Sequence, residues 1–316
     1  MVITCPYCKK EYPVDKRKIP RNAKVAQCKA CGKRFPFKLV EDTTAKPKIT
    51  PEKSESPTHE VKKVGPRKIA ISLSKGGVGK TTTAVNLAVG LTMANNKVLL
   101  VDTDTQGQAS YMLGVEPKAG LTELATRELE AHEAVLEVRE KLFLLAGGKS
   151  LGGLKRLISR KDFGGELTIR EAIAPLEDQF DYIIFDSSPG WDVLTVNVLF
   201  CAEEVLIPVS HEVMTLQGLT EFLKSVGVIK NYRKRLEVKY ILPTFFDKRL
   251  KKSLIILKKL QDLYGEKLCT PIRINVRISE APAYGKTIYE FAPGSHGAED
   301  YRDLIRKVAD DDNLFR

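Results

Sequence analysis

The tightest constraint on the fold lies where an apolar run, Lys68–Leu73, passes into Ser74-Lys75-Gly76-Gly77-Val78-Gly79-Lys80-Thr81-Thr82 and on into the helical pattern Lys80–Asn95. A strand feeding a glycine-rich turn that opens a helix aims several backbone N–H groups at one point, and the helix dipole makes that point attractive to anions. Phosphate is the natural occupant. Gly76, Gly77, Val78 and Gly79 would supply backbone donors, with Thr82 continuing the helix start. Lys80 would reach β- and γ-phosphates, and the Thr81 hydroxyl would ligate Mg²⁺. The GxxxxGK[ST] pattern is met loosely, because its first Gly is replaced and a second lysine, Lys75, stands inside the loop.

Downstream, short apolar runs alternate with longer amphipathic segments. Lys97–Val101, Leu142–Ala146, Tyr182–Asp186, Val205–Val209 and Val238–Pro243 read as further buried strands, and Leu216–Arg233 and Leu250–Leu263 as crossover helices. This alternation predicts an α/β fold, a doubly wound, mostly parallel sheet with helices on both faces, and the loop Ser74–Thr82 makes it one of the P-loop NTPase kind. Ligands in such folds bind at the carboxyl ends of the strands.

Four of the six cysteines fall in the first 31 residues, as Cys5-Pro-Tyr-Cys8 and Cys28-Lys-Ala-Cys31-Gly32. Each Cys-x-x-Cys places two thiolates on one tight turn, and two such turns complete a tetrahedral Zn²⁺ site with no open position. A small zinc ribbon over residues 1–40, with structural metal, is therefore expected. Cys201 and Cys269 stand alone among apolar neighbours and read as core. Met1–Lys10 has no apolar run of the secretory type, and no stretch reaches 18 apolar residues, so the chain is expected to be cytoplasmic.

Residues 41–66 lack aromatics and are rich in Pro, Ser, Thr, Lys and Glu, the composition of a flexible linker with a reach of roughly 25–30 Å. Residues 1–66 hold 16 Lys+Arg against 7 Asp+Glu, so nearly all of the net +11 sits ahead of the larger segment, 67–316. Ribbon cations such as Arg17, Lys18, Arg21, Lys24, Lys33 and Arg34 could meet DNA or an acidic protein, or merely face solvent.

KGGVGKTTTAVNLA resembles the deviant Walker A motif of the ParA/MinD/nitrogenase-iron-protein superfamily, whose mark is the extra lysine. Three other blocks agree: VLLVDTDTQGQAS (98–110), DYIIFDSSPG (181–190) and NVRISEAPAYGKTIYEF (275–291). The resemblance spans about residues 67–310 and is closest to ParA. It implies slow, Mg²⁺-dependent ATP hydrolysis by a homodimer that forms on ATP binding, with Lys75 crossing to the partner's phosphates. Asp104 would orient the attacking water, Asp102 would assist at the metal, and Asp186 would hold Mg²⁺ through a water. Thr105 and Ser188 stand where the family usually has proline. The base would lie between Thr244-Phe245 and the loop Arg273–Asn275, although Arg273 replaces the usual proline.

The resemblance also implies non-specific nucleoid DNA binding through Arg249 and Arg277, with Lys248, Lys251 and Lys252 nearby, and a cargo delivered by a ParB-like or adaptor protein. Two other readings compete. A MinD-like membrane role would want a basic amphipathic C-terminal helix, but the tail carries Asp310-Asp311-Asp312. A non-hydrolysing ribbon adaptor on a dead scaffold would not need Lys75, Lys80, Thr81, Asp104 and Asp186 intact.

Overall fold

The computed structural model describes residues 2–14, 25–36 and 65–315, which fall into two units, Met1–His59 and Glu60–Arg316. The expected linker lies outside the described residues except for Gly65 and Pro66, as do Arg17, Lys18, Arg21 and Lys24.

The small unit contains two antiparallel hairpins, Val2–Thr4 with Glu11–Pro13 and Val25–Gln27 with Arg34–Pro36. Each hairpin turns through one Cys-x-x-Cys pair. The Cys5 and Cys28 carbonyls accept from Lys9 and Gly32 N–H, and their own N–H groups donate to the Lys10 and Lys33 carbonyls. The two turns are conformational copies, with Lys9 (φ 56°) holding in the first the left-handed position that Gly32 (φ 72°) holds in the second.

In the larger unit we number the strands β1 Arg67–Ile71, β2 Val98–Asp102, β3 Val135–Arg139, β4 Leu142–Leu145, β5 Tyr182–Asp186, β6 Glu204–Ser210 and β7 Glu237–Thr244. Its longer helices are α1 Lys80–Met93, α2 Leu151–Ser159, α3 Val193–Cys201, α4 Val213–Tyr232, α5 Lys251–Tyr264 and α6 His296–Ala309. The sheet order is β7-β6-β1-β5-β2-β4-β3, parallel throughout except where β3 pairs antiparallel with β4. The six expected strands form within two residues of their expected ends; β3 is an addition.

Successive strand residues alternate between two cores because β side chains alternate faces. Ala70, Leu99, Val101, Ile183, Phe185, Ile207 and Ile241 face α2 to α5, against residues such as Leu154, Val198, Phe222 and Ile256. Ile69, Ile71, Val98, Leu100, Ile184, Leu206 and Leu242 face α1 and α6, against Leu87, Leu91, Tyr301 and Ile305. Both faces are covered, so the strands read as unbroken apolar runs. Cys201 and Cys269 lie in these cores, 0% and 3% exposed. In the register of the central strands, Asp186 at the end of β5 stands beside both Ile71 of β1 and Asp102 of β2. That shared carboxyl edge is where the chemistry gathers. No helix among the described residues is long and apolar enough to cross a membrane.

Candidate functional site

The loop after β1 wraps the first turn of α1. Gly77 (φ 72°) and Gly79 (φ 85°) both take the left-handed backbone that lets successive N–H groups turn inward. Lys80, the first residue of α1, is only 6% exposed, and its Nζ donates to the Lys75 carbonyl at 2.8 Å. Burial lowers the Lys80 pKa, while Asp186 and Asp104 draw it upward. The ammonium is thus tucked beneath the loop, within reach of whatever the loop holds.

Three carboxylates converge below it. Asp102 is fully buried, and its oxygens accept from Asp104 N–H at 2.8 Å and Ala109 N–H at 3.3 Å. Burial nevertheless pushes it up to about 7. Asp104, 8% exposed, accepts from Gln106 N–H at 3.0 Å. Asp186 is fully buried, and neither of its oxygens has a hydrogen-bond partner among the described residues. Burial first, then neighbouring Asp102, holds its carboxyl well above the ordinary range, with Thr81 and Lys80 acting against them. An orphaned buried carboxylate is costly. A divalent cation reached from Thr81 and Asp186 is the partner such a group lacks, so these residues fit Mg²⁺.

A cleft of about 560 Å³ opens over the loop. Gly76, Gly77, Gly79, Lys80, Thr81, Thr82 and Asp104 line one side, and Thr244, Phe245, Arg273 and Asn275 the other. Val78 is buried beneath, its carbonyl accepting from the Thr244 hydroxyl at 3.0 Å. Lys75, Asp102 and Asp186 do not line the cleft: the two aspartates are buried at the ends of β2 and β5, and Lys75 is half-buried in the loop. Phe245 is left-handed (φ 54°) and half exposed, and a Cβ on Gly79 would come within 3.9 Å of its ring. Arg273 lines the cleft while its guanidinium pairs with Asp300 of α6, whose carboxylate also accepts from Arg273 N–H at 2.9 Å. The Asn275 side chain accepts from Arg277 N–H at 2.9 Å.

The basic residues assigned to DNA lie outside the cleft lining. Arg249, 82% exposed, pairs with Asp247, and Arg277 pairs with Glu280. Lys248, Lys251 and Lys252 are exposed at the start of α5.

Motif reading missed several contributors. Gly147 packs so closely that a Cβ would lie 2.7 Å from the Asp104 carbonyl and 2.8 Å from that of Asp102, and Gly148 N–H donates to Asp104 at 2.9 Å. The Gly147-Gly148 pair directly after β4 was the available signal. His211, Ile274 and Tyr301 also surround the cleft or its walls without marking themselves in the sequence.

In the small unit the four cysteine sulfurs lie within 4.8 Å of one another, with Cys5–Cys31 at 3.7 Å and Cys8–Cys28 at 3.5 Å. A tetrahedron of Zn–S bonds near 2.3 Å has S–S edges of about 3.8 Å, so the cage already fits zinc. Cys5 and Cys28 are buried, and Cys8 and Cys31 are exposed. The Tyr12 hydroxyl sits 3.3 Å from Cys28 Sγ and is the foremost cause drawing that thiol down to about 6.

A family model described as an AAA domain matches residues 66–238, and one described as a zinc-ribbon domain matches residues 1–36. The chain is 36% identical over 252 residues to the sporulation initiation inhibitor protein Soj of Bacillus subtilis (strain 168), covering 76% of this chain and 97% of that protein. It is likewise 36% identical over 244 residues to the chromosome-partitioning ATPase Soj of Thermus thermophilus, covering 77% and 95%. Among solved structures, an ATP complex of Cyanothece McdA superposes with a TM-score of 0.70 at 22% identity, covering 79% of this chain and 99% of that one, a likeness of fold. Mycobacterium smegmatis cobyrinic acid a,c-diamide synthase with bound ADP and magnesium gives 0.65 at 28% identity, covering 77% and 96%.

Proposed function

The chain belongs to the Soj/ParA family of P-loop ATPases, and on that premise we propose that it hydrolyses ATP as a homodimer closed over two nucleotides, binds DNA without sequence preference and positions a cargo. The division of labour follows the segments: a zinc ribbon over residues 1–40, a tether over 41–66 and the ATPase over 67–316. The observation that carries the reading is the two-lysine loop whose buried Lys80 sits beside the carboxylates of Asp186 and Asp104 at the sheet's carboxyl edge.

Phosphoryl transfer to water asks for positioning and charge neutralisation more than covalent chemistry. The loop N–H groups hold the phosphates, and Lys80 exchanges the Lys75 carbonyl for β- and γ-oxygens. Thr81 and Asp186 would hold Mg²⁺, with Asp102 assisting; when bound, the ion offsets charge on the β- and γ-phosphates. Asp104, at the cleft edge, aligns the attacking water. Lys75 of the partner subunit completes the charge balance, so turnover requires two chains. The base fits between Phe245 and the Arg273–Asn275 segment, with Arg273 contributing backbone because its side chain is held by Asp300.

Arg249, Arg277, Lys248, Lys251 and Lys252 supply the exposed cations for DNA, which predicts a steep salt dependence. A MinD-like membrane anchor is disfavoured, because α6 turns Tyr301, Leu304, Ile305 and Val308 into the core. The ribbon recruits the cargo or its ParB-like adaptor through the tether.

The test is Lys75→Ala. Phosphate release should fall to background while some nucleotide binding persists, and the wild type should dimerise with a non-hydrolysed ATP analogue and Mg²⁺. Near-normal turnover by the variant would remove the trans role.

A further inference from the structure

We propose that His211 is a positioning residue for the nucleotide, pinning the Thr244 carbonyl and thereby fixing the wall where Thr244 and Phe245 meet the phosphate loop. This rests on the reading of the cleft as a nucleotide site, and it adds a residue that no motif marks.

His211 directly follows β6, whose last residue, Ser210, pairs with Thr244 at the end of β7. Its Nδ1 lies 3.0 Å from the Thr244 carbonyl oxygen. A carbonyl can only accept, so Nδ1 carries the hydrogen, and in the neutral ring that burial favours Nε2 is left as a bare acceptor. That Nε2 is buried and has no hydrogen-bond partner among the described residues. The ring is 8% exposed and packs on Phe246 with centroids 5.2 Å apart. One hydrogen bond and one aromatic contact therefore set its place, and the bond is the directional part.

Thr244 is held at both ends. Its carbonyl takes the His211 hydrogen, and its hydroxyl donates to Val78 inside the phosphate loop. The next residue, Phe245, adopts a left-handed backbone that a bulky side chain keeps only where its surroundings over-determine it. The His211–Thr244–Val78 chain provides that restraint, so the ring of Phe245 stays over Gly79 at the cleft wall. Loss of the His211 donor would take a hydrogen bond from a buried carbonyl and free the turn to relax.

Two variants separate the hydrogen bond from the packing. His211→Phe keeps a ring against Phe246 but removes the donor. It should weaken binding of a non-hydrolysed ATP analogue about tenfold, the equivalent of one ordinary hydrogen bond, with kcat at saturating ATP unchanged. His211→Asn places an amide N–H near the Nδ1 position and should restore the affinity. In the wild type, ¹⁵N spectra of the imidazole should report the Nδ1–H tautomer.

Analogue binding by His211→Phe at wild-type strength, equal losses in the two variants, or an Nε2–H tautomer would each overturn the proposal. The tautomer measurement and His211→Asn decide it even where His211→Phe fails to fold. A wild-type protein that binds no ATP analogue would instead overturn the nucleotide reading itself, and this inference with it.

Discussion

Among the described residues, the ribbon buries Cys5, Cys28 and Phe35, with Tyr12 and Ala26 packed against them, whereas the larger unit spreads its core over both faces of a seven-stranded sheet. In the ribbon, two of the three core side chains, Cys5 and Cys28, belong to the four-cysteine cage that fits zinc, so fold and candidate site share the same atoms. A core that small cannot offset the entropy of ordering the chain, which leaves that task to a metal in the cysteine cage. In the larger unit the site sits at one edge of a fold that stands without it. That surplus lets the fold tolerate Asp186, whose two buried oxygens have no hydrogen-bond partner among the described residues.

The largest effect expected from this contrast comes from taking the metal away. Chelation of zinc, or Cys28→Ser, in the full chain should abolish amide-exchange protection across residues 2–14 and 25–36, since structural zinc contributes on the order of 10 kcal/mol to such folds. The melting temperature of the larger unit should not move. Surviving protection in the ribbon would break the comparison on one side, and a destabilised ATPase body would break it on the other.

Next in size is the reverse experiment on the body. Asp186→Asn keeps the volume and removes the cost of burying a carboxyl whose charged form the site disfavours, so the nucleotide-free protein should melt about 2–6 °C higher. Mg²⁺-dependent ATP hydrolysis should nevertheless fall by roughly 100-fold or more, because positioning and charge neutralisation carry most of this reaction. A variant that is less stable than the wild type would mean that Asp186 is a structural group and that the site is not strained in the manner described.

The same contrast governs what could be read from sequence. Central strands were legible because a sheet covered on both faces demands unbroken apolar runs such as Val98–Val101 and Tyr182–Phe185. The edge strand Val135–Arg139 was not, since Glu137 and Arg139 interrupt it and its hairpin turns through Glu140-Lys141, with Lys141 left-handed (φ 61°) and no Gly or Asn to announce the turn. The phosphate loop and the cysteine pairs were legible because their chemistry fixes local spacing. His211 with Thr244, Arg273 with Asp300 and Gly147 with Asp104 meet only after the sheet has formed, and nothing in their local sequence foretells those meetings.

The smallest predicted effect tests how far the ribbon's site extends beyond its four sulfurs. The Tyr12 oxygen accepts from Ala30 N–H at 2.9 Å, which directs its own hydrogen toward Cys28 Sγ, 3.3 Å away. Such a bond steadies a zinc-bound thiolate, and partners of this kind are worth about 10- to 100-fold in metal affinity. Tyr12→Phe keeps the ring that packs on the core and leaves Ala30 N–H free to meet water. Zinc affinity by chelator competition should therefore fall about tenfold, at the lower end of that range, with ATPase activity unaltered. Wild-type affinity in the variant would confine the ribbon's site to its cysteines; a change in ATP turnover would show that the two regions are coupled after all.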